Sequence, residues 1–398
     1  MHSGIQGVRL TRRTALGALS VPLLALAAPA LGSSAVFASP ADDHRQAQGF
    51  VYVNDNTAGT NTVAGFARWA DGALTPLAGS PFAIGGSGTG HSVASQGALQ
   101  LAFDGRYLLA ANAGSNSVSV LRILPDGALR PVEGSPFPSG GNEPVSIAVH
   151  DELVYVGNTG AGGSNYTGFT LNRAGWLRPL ADSTVPLPDA SVVGDVLISG
   201  NGRHLAGTRV ATSLIDSFAI NAAGRLIVAP GSPFAAQGAG PFGSAFRPTR
   251  ANQLFVSNAH GGAGNGTVSA FQVARDGALT SIGASPFADQ QTAPCWVAVS
   301  PNGAYLFAAN TGSDSISSYA VDAAGDLRLV GATPLKGGPG LGTVDLGTDA
   351  GGRHLYVVDT NRALVSELRV DGGTLTELPS SPIALPAGAT PFGLAITG

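Results

Sequence analysis

Asp71-Gly72-Ala73-Leu74-Thr75-Pro76-Leu77, followed by Gly79-Ser80-Pro81-Phe82, decides the fold, because the block returns along the whole chain. It recurs as Asp126-Gly127-Ala128-Leu129 with Ser135-Pro136-Phe137, and as Asp276-Gly277-Ala278-Leu279 with Ser285-Pro286-Phe287. Weaker copies begin at Ala174-Gly175, Ala223-Gly224, Ala324-Gly325 and Gly372-Gly373. The seven copies are spaced by roughly 48 to 55 residues, a period typical of propeller blades.

Each copy follows a second shared block. Arg106-Tyr107-Leu108-Leu109-Ala110-Ala111-Asn112 leads through a polar turn to Ser117-Val118-Ser119-Val120-Leu121, with a counterpart at Ala304–Asn310 and Ser315–Tyr319. Short apolar runs bounded by turn residues read as strands. A third run precedes each pair, as in Val145–Val149 and Trp296–Val299. With the Leu-centred strand after the Asp-Gly turn, each repeat has four antiparallel strands. The chain opens on a second-strand block, Phe50–Asn54, and finishes on a first-strand block, Pro391–Ile396. The two fragments complete one blade and remove an open edge. The fold class is all-β: a seven-bladed β-propeller over residues 49–398, closed by its C-terminal strand.

Composition agrees. Of 398 residues, 57 are Gly and 26 Pro, and only 12% are charged, which suits many short strands and tight turns. Residues 1–40 read instead as an export signal of the twin-arginine type, and 41–48 as a linker. Arg12-Arg13 precedes the apolar stretch Ala15–Ala30, and small residues suited to cleavage follow at Ala28-Pro29-Ala30 and Val36-Phe37-Ala38. The expectation is a periplasmic or extracellular protein with no membrane span. Removing residues 1–40 leaves 18 basic against 25 acidic residues, a formal charge of about −7. That balance, with no Arg cluster along the sequence, argues against nucleic acid. Cys295 is the only cysteine, so no intrachain disulfide is possible.

The loops entering first strands and the turns between second and third strands share one face, around the central axis, where a ligand site is expected. Asn112, Asn158, Asn258 and Asn310 end second strands, with Asn54 and Asp359 in matching positions. Each either caps its own turn through backbone amides or contributes to ligand binding. Arg209 breaks the series in the fourth repeat, and an inward guanidinium suits a carboxylate. Glu143, Asp195 and His260 are candidate acids and bases beside it, each with a plainer reading as a solvated or capping group. Asp345 has the same choice as Asp195. Trp296 is a candidate ligand contact, and Cys295 reads as a buried thiol. No serine-nucleophile elbow, zinc-protease motif, phosphate loop or calcium loop is present, and the seven histidines are scattered. Neither a metal nor a cofactor is expected, and the chain is expected to be a monomer.

The phrase Pro301-Asn302-Gly303-Ala304-Tyr305-Leu306-Phe307-Ala308-Ala309-Asn310, followed by Ser315-Ile316-Ser317-Ser318-Tyr319, resembles the lactonase family of seven-bladed propellers. That family includes 6-phosphogluconolactonase and 3-carboxy-cis,cis-muconate cyclase, and the likeness recurs in every blade. The phosphogluconolactonase branch carries Pro-His or Pro-Arg-His at first-strand starts and a Glu after a late second strand. Here those places read Pro294-Cys295-Trp296, Gly342-Thr343-Val344 and Asp359-Thr360-Asn361. The resemblance implies the fold and a small lactone or carboxylate ligand, opened or cyclised at the channel mouth. The departures leave open a second reading, a non-catalytic propeller that binds a small molecule, glycan or protein.

Overall fold

Seven antiparallel sheets stand around one axis in the computed structural model, which describes residues 46–340 and 342–398. The export signal predicted for residues 1–40 lies outside them. Blades are numbered I to VII in chain order, with strands counted outward from the axis. Blade II is representative: Leu99–Ala102, Tyr107–Asn112, Ser117–Ile123 and Leu129–Pro131, paired in that order. Blade I takes its first strand from the end of the chain. Leu394–Ile396 pairs antiparallel with Gly49–Asn54, with Val51 opposite Ile396 and Val53 opposite Leu394. The ring closes as the split first repeat predicts.

The repeated Ser-Pro-Phe has a job at the rim. In blade I the outer strand Leu74–Pro76 leaves the third strand Thr62–Arg68, loops out, and returns as the two-residue strand Phe82–Ala83. The gap strands the Gly65 N–H, which donates to Ser80 Oγ at 2.9 Å. Val120 N–H does the same to Ser135, Ser217 N–H to Ser232 and Ala270 N–H to Ser285. A ladder donor left without its strand partner is thus paired by a side chain. Blade VI has Ala332-Thr333-Pro334 instead, and its outer strand runs unbroken over Leu327–Pro334.

The Asp-Gly turn has a second use, joining blades. Tyr52 Oη donates to the Gly127 carbonyl of the next blade at 2.7 Å, Tyr155 Oη to Gly224 at 2.8 Å, and Tyr356 Oη to Gly72 at 2.8 Å. At the closing joint, Arg68 Nη2 also holds the carbonyls of Gln48, Thr397 and Gly398. Buried apolar side chains such as Phe66, Phe169, Phe218, Phe255 and Phe307 fill the spaces between sheets. No helix among the described residues is long and apolar enough to cross a membrane.

Candidate functional site

Each blade brings one first-strand residue to the same level of the axis, next to the last residue but one of its second strand. These are Ser146, Asp195, Gly243, Trp296 and Asp345 in blades III to VII and Ala98 in blade II, while in blade I the residue facing Val53 is Leu394. The equivalence follows from register: Ser146 faces Gly157, Asp195 faces Thr208 and Trp296 faces Ala309.

Asp195 Oδ1 accepts from Ser146 Oγ at 3.1 Å, and its Oδ2 accepts from the Ser244 N–H at 3.0 Å and Ser244 Oγ at 2.7 Å. Asp345 Oδ1 accepts from the Leu346 N–H at 3.0 Å and Oδ2 from the Leu394 N–H at 3.2 Å. The two carboxylates are 2% and 5% exposed, and no cation pairs with either among the described residues. Burial therefore pushes both up to about 7, with Asp195 adding repulsion at Asp345. Carboxyl groups at that value can both take and give a proton near neutrality.

Between the two aspartates lies Gly97, at the end of the long loop from blade I to blade II. This loop covers the axis. Gln96 N–H donates to the Gly194 carbonyl of blade IV, Gln96 Nε2 to the Ser244 carbonyl of blade V, and Gln96 Oε1 accepts from the Val297 N–H of blade VI. Ser95 Oγ donates to the Val145 carbonyl of blade III, and the Ser95 carbonyl accepts from Trp296 Nε1. Gly97 has φ +81° and a Cβ there would meet Ser146 Oγ at 3.1 Å and Asp195 Oδ1 at 3.5 Å. Gly243 is the space through which the Gln96 amide passes, and a Cβ on it would collide with Gln96 Oε1. The sequence shows only an unusually long Gly/Ser loop here, with nothing to say that one glutamine reaches three blades.

Arg209 is engaged elsewhere. Its Nε donates to Asp216 Oδ2 at 2.6 Å and its Nη2 to Asp216 Oδ1 at 2.5 Å, while Tyr166 Oη of blade III donates to Asp216 Oδ2 at 3.0 Å. Asp216 is seven residues after Arg209, the place of Ser119 after Asn112 and Ser317 after Asn310. In those blades Asn112 Nδ2 donates to Ser119 Oγ at 2.8 Å, Asn310 Nδ2 to Ser317 Oγ at 2.9 Å, and Asp359 Oδ2 accepts from Ser366 Oγ at 2.8 Å. Blade IV thus makes the same strand-to-strand link with an ion pair.

The remaining candidates are placed as follows. Asn158 and Asn258 are buried and donate to Asn165 and to Thr267 and Ser269. The repeated amides therefore spend their donors mainly on third-strand side chains rather than on turn backbone, although Asn54 Oδ1 does accept the Asn56 N–H. Asp359 is buried and pushed up to about 7 by that burial. Trp296 is buried beneath Ser95 and packs against Phe242, with ring centroids 4.9 Å apart and ring planes tilted by 58°. Glu143 is half-buried on the blade III rim and His260 is exposed on blade V. No hydrogen bond or ion pair joins any two of Arg209, Glu143, Asp195 and His260. Burial pushes the Cys295 thiol up to about 11, and no group of His, Cys, Asp or Glu among the described residues is placed to hold a metal ion.

Residues 245–391 match the family model for the lactonase seven-bladed β-propeller. A putative 6-phosphogluconolactonase from Bacteroides fragilis superposes with TM-score 0.68 at 21% identity, over 88% of this chain and 98% of that one. The one from Bacteroides uniformis gives 0.69 at 20%, over 88% and 100%. The periplasmic gluconolactonase of Pseudomonas aeruginosa gives 0.68 at 19%, over 88% and 99%. No curated protein sequence matches the chain significantly. At these identities the structural likeness is one of fold. Together with the family match it bears out the resemblance carried by the repeats: the chain is a seven-bladed β-propeller whose residues 245–391 match the lactonase family.

Proposed function

We propose that this chain is an exported lactonase-like propeller that hydrolyses a small lactone, or closes its hydroxy acid, at the upper mouth of the axis. The observation that carries this reading is the pair Asp195 and Asp345, held without a cation on either side of Gly97 and pushed up to about 7. In the hydrolytic direction, water adds to the lactone carbonyl and loses a proton to the ionised carboxylate. The ring C–O bond then breaks, and the leaving oxygen takes that proton back, giving the open hydroxy acid. Asp195 is the preferred base, because Ser146 and Ser244 fix its orientation. Arg209 on the rim of blade IV keeps Nη1 outside its bond to Asp216 and is the group assigned to a substrate carboxylate. Substrate entry requires Ser95 and Gln96 to move aside. Export is supported by the first forty residues and by the periplasmic relative.

One observation favours a binding role without turnover: Gln96 fills the axis while Arg209 is spent largely on Asp216. Turnover assays on residues 41–398 with aldonolactones and muconolactone-type compounds separate the two. Lactone opening that is lost in Asp195→Asn supports the enzyme, and saturable binding with no turnover supports the alternative.

A further inference from the structure

On the face opposite the axial mouth, blade II gathers three arginines from three successive strand segments. Arg106 precedes its second strand, Arg122 lies near the end of its third, and Arg130 sits in its fourth. All three line one cavity of about 510 Å³, whose other walls include Phe50, Ile123 and Leu124. Arg122 and Arg130 are register partners across the antiparallel pair, so their side chains leave the sheet on the same face. Like charges placed directly opposite one another are destabilising.

Nothing in the fold relieves that cost. The three side chains are exposed, and no guanidinium among them makes a hydrogen bond or ion pair with the described residues. Asp104 is on the rim of the same cavity and pairs with none of them. Acids were available for pairing, since from residue 46 onward they outnumber bases by 23 to 17. Three unpaired guanidinium groups around an apolar groove suit an oxyanion, which a guanidinium grips through two parallel N–H bonds. The apolar walls suit a hydrophobic body attached to it.

We propose that this groove is a second binding site, for a small molecule carrying a carboxylate, phosphate or sulfate on an apolar body. It is independent of the axial site, which lies on the other face.

Calorimetric titration of residues 41–398 with 2-naphthoate, 2-naphthyl phosphate and 2-naphthyl sulfate tests it, with neutral 2-naphthol and inorganic phosphate as contrasts. The expected result is saturable binding of at least one naphthyl anion, with the preferred one identifying the head group. Binding falls tenfold or more in Arg122→Gln and in Arg130→Gln, weakens with added salt, and is unchanged in Arg209→Ala and Asp195→Asn. The unliganded Arg130→Gln protein melts at or above the wild-type temperature, because the like-charge pair is gone. Failure of all three anions to bind, or binding indifferent to the Arg122 and Arg130 changes, overturns the proposal. Equal binding of 2-naphthol overturns the role of the charge, and equal binding of inorganic phosphate overturns the role of the apolar walls.

Discussion

Arg209 and Asp216 face each other across the second and third strands of blade IV, joined by two bonds of 2.6 and 2.5 Å, where other blades join an amide to a hydroxyl. With side chains 13% and 2% exposed, the pair is largely out of water. Removing one partner of such a pair costs more than the pair contributes, because the other charge is left buried. Arg209→Ala is expected to destabilise the fold by about 2 to 4 kcal/mol. The double change Arg209→Asn with Asp216→Ser, which copies blades II and VI, is expected to recover most of that. Urea unfolding of the wild type, Arg209→Asn, Asp216→Ser and the double variant measures the coupling, and additive losses would show that the two residues act separately.

The axial aspartates make stability depend on pH with a definite sign. Both are raised from the ordinary carboxylate range to about 7, so between pH 4 and 7 the folded state holds protons that the unfolded chain has lost. Stability contributed by the protonated groups is complete below pH 4 and declines as pH rises to 7. The melting temperature is therefore expected to fall across that window. In Asp195→Asn with Asp345→Asn the fall should be shallower. The buried Asp55 and Asp359, also raised to about 7, retain part of it.

Gln96 ties the inter-blade loop to blades IV, V and VI, so its loss should be felt far from its own blade. Gln96→Ala leaves the Val297 N–H and the Ser244 carbonyl without these partners. A cost of about 1 to 3 kcal/mol is expected. Hydrogen exchange supplies the sharper readout, with faster exchange at the Val297 amide and little change in blade II.

At the closing joint, Tyr356 Oη is bonded to the Gly72 carbonyl and both sides are buried. Tyr356→Phe is expected to cost about 1 kcal/mol. Tyr52→Phe and Tyr155→Phe, which break the same link at other joints, should cost similar amounts in parallel chemical denaturation.

The ring was legible because its signals are local and repeated. The Asp-Gly turn and the Ser-Pro-Phe return each report a backbone need that recurs in several blades, and the split first blade reports the single closure of the ring. Arg209 was legible as an exception, but its meaning depended on Asp216, seven residues on, at a place where blades II, VI and VII carry Ser119, Ser317 and Ser366. Comparison of the repeats at that spacing exposes the exchange. Gln96 left no such trace, since its partners Gly194, Ser244 and Val297 belong to three later blades and meet it only once the ring is closed. The arginine groove was hidden for a similar reason: Arg106, Arg122 and Arg130 form no run in sequence, and strand register brings them together.

The measurement that tests the central claim most directly is lactone turnover by the mature chain, residues 41–398, compared with Asp195→Asn at matched folding. The proposed function predicts multiple-turnover opening of at least one aldonolactone or muconolactone-type substrate, following an ionisation near pH 7 and reduced a hundredfold or more in the variant. Turnover that survives Asp195→Asn and Asp345→Asn unchanged, or its absence across the panel with a correctly folded protein, would contradict it.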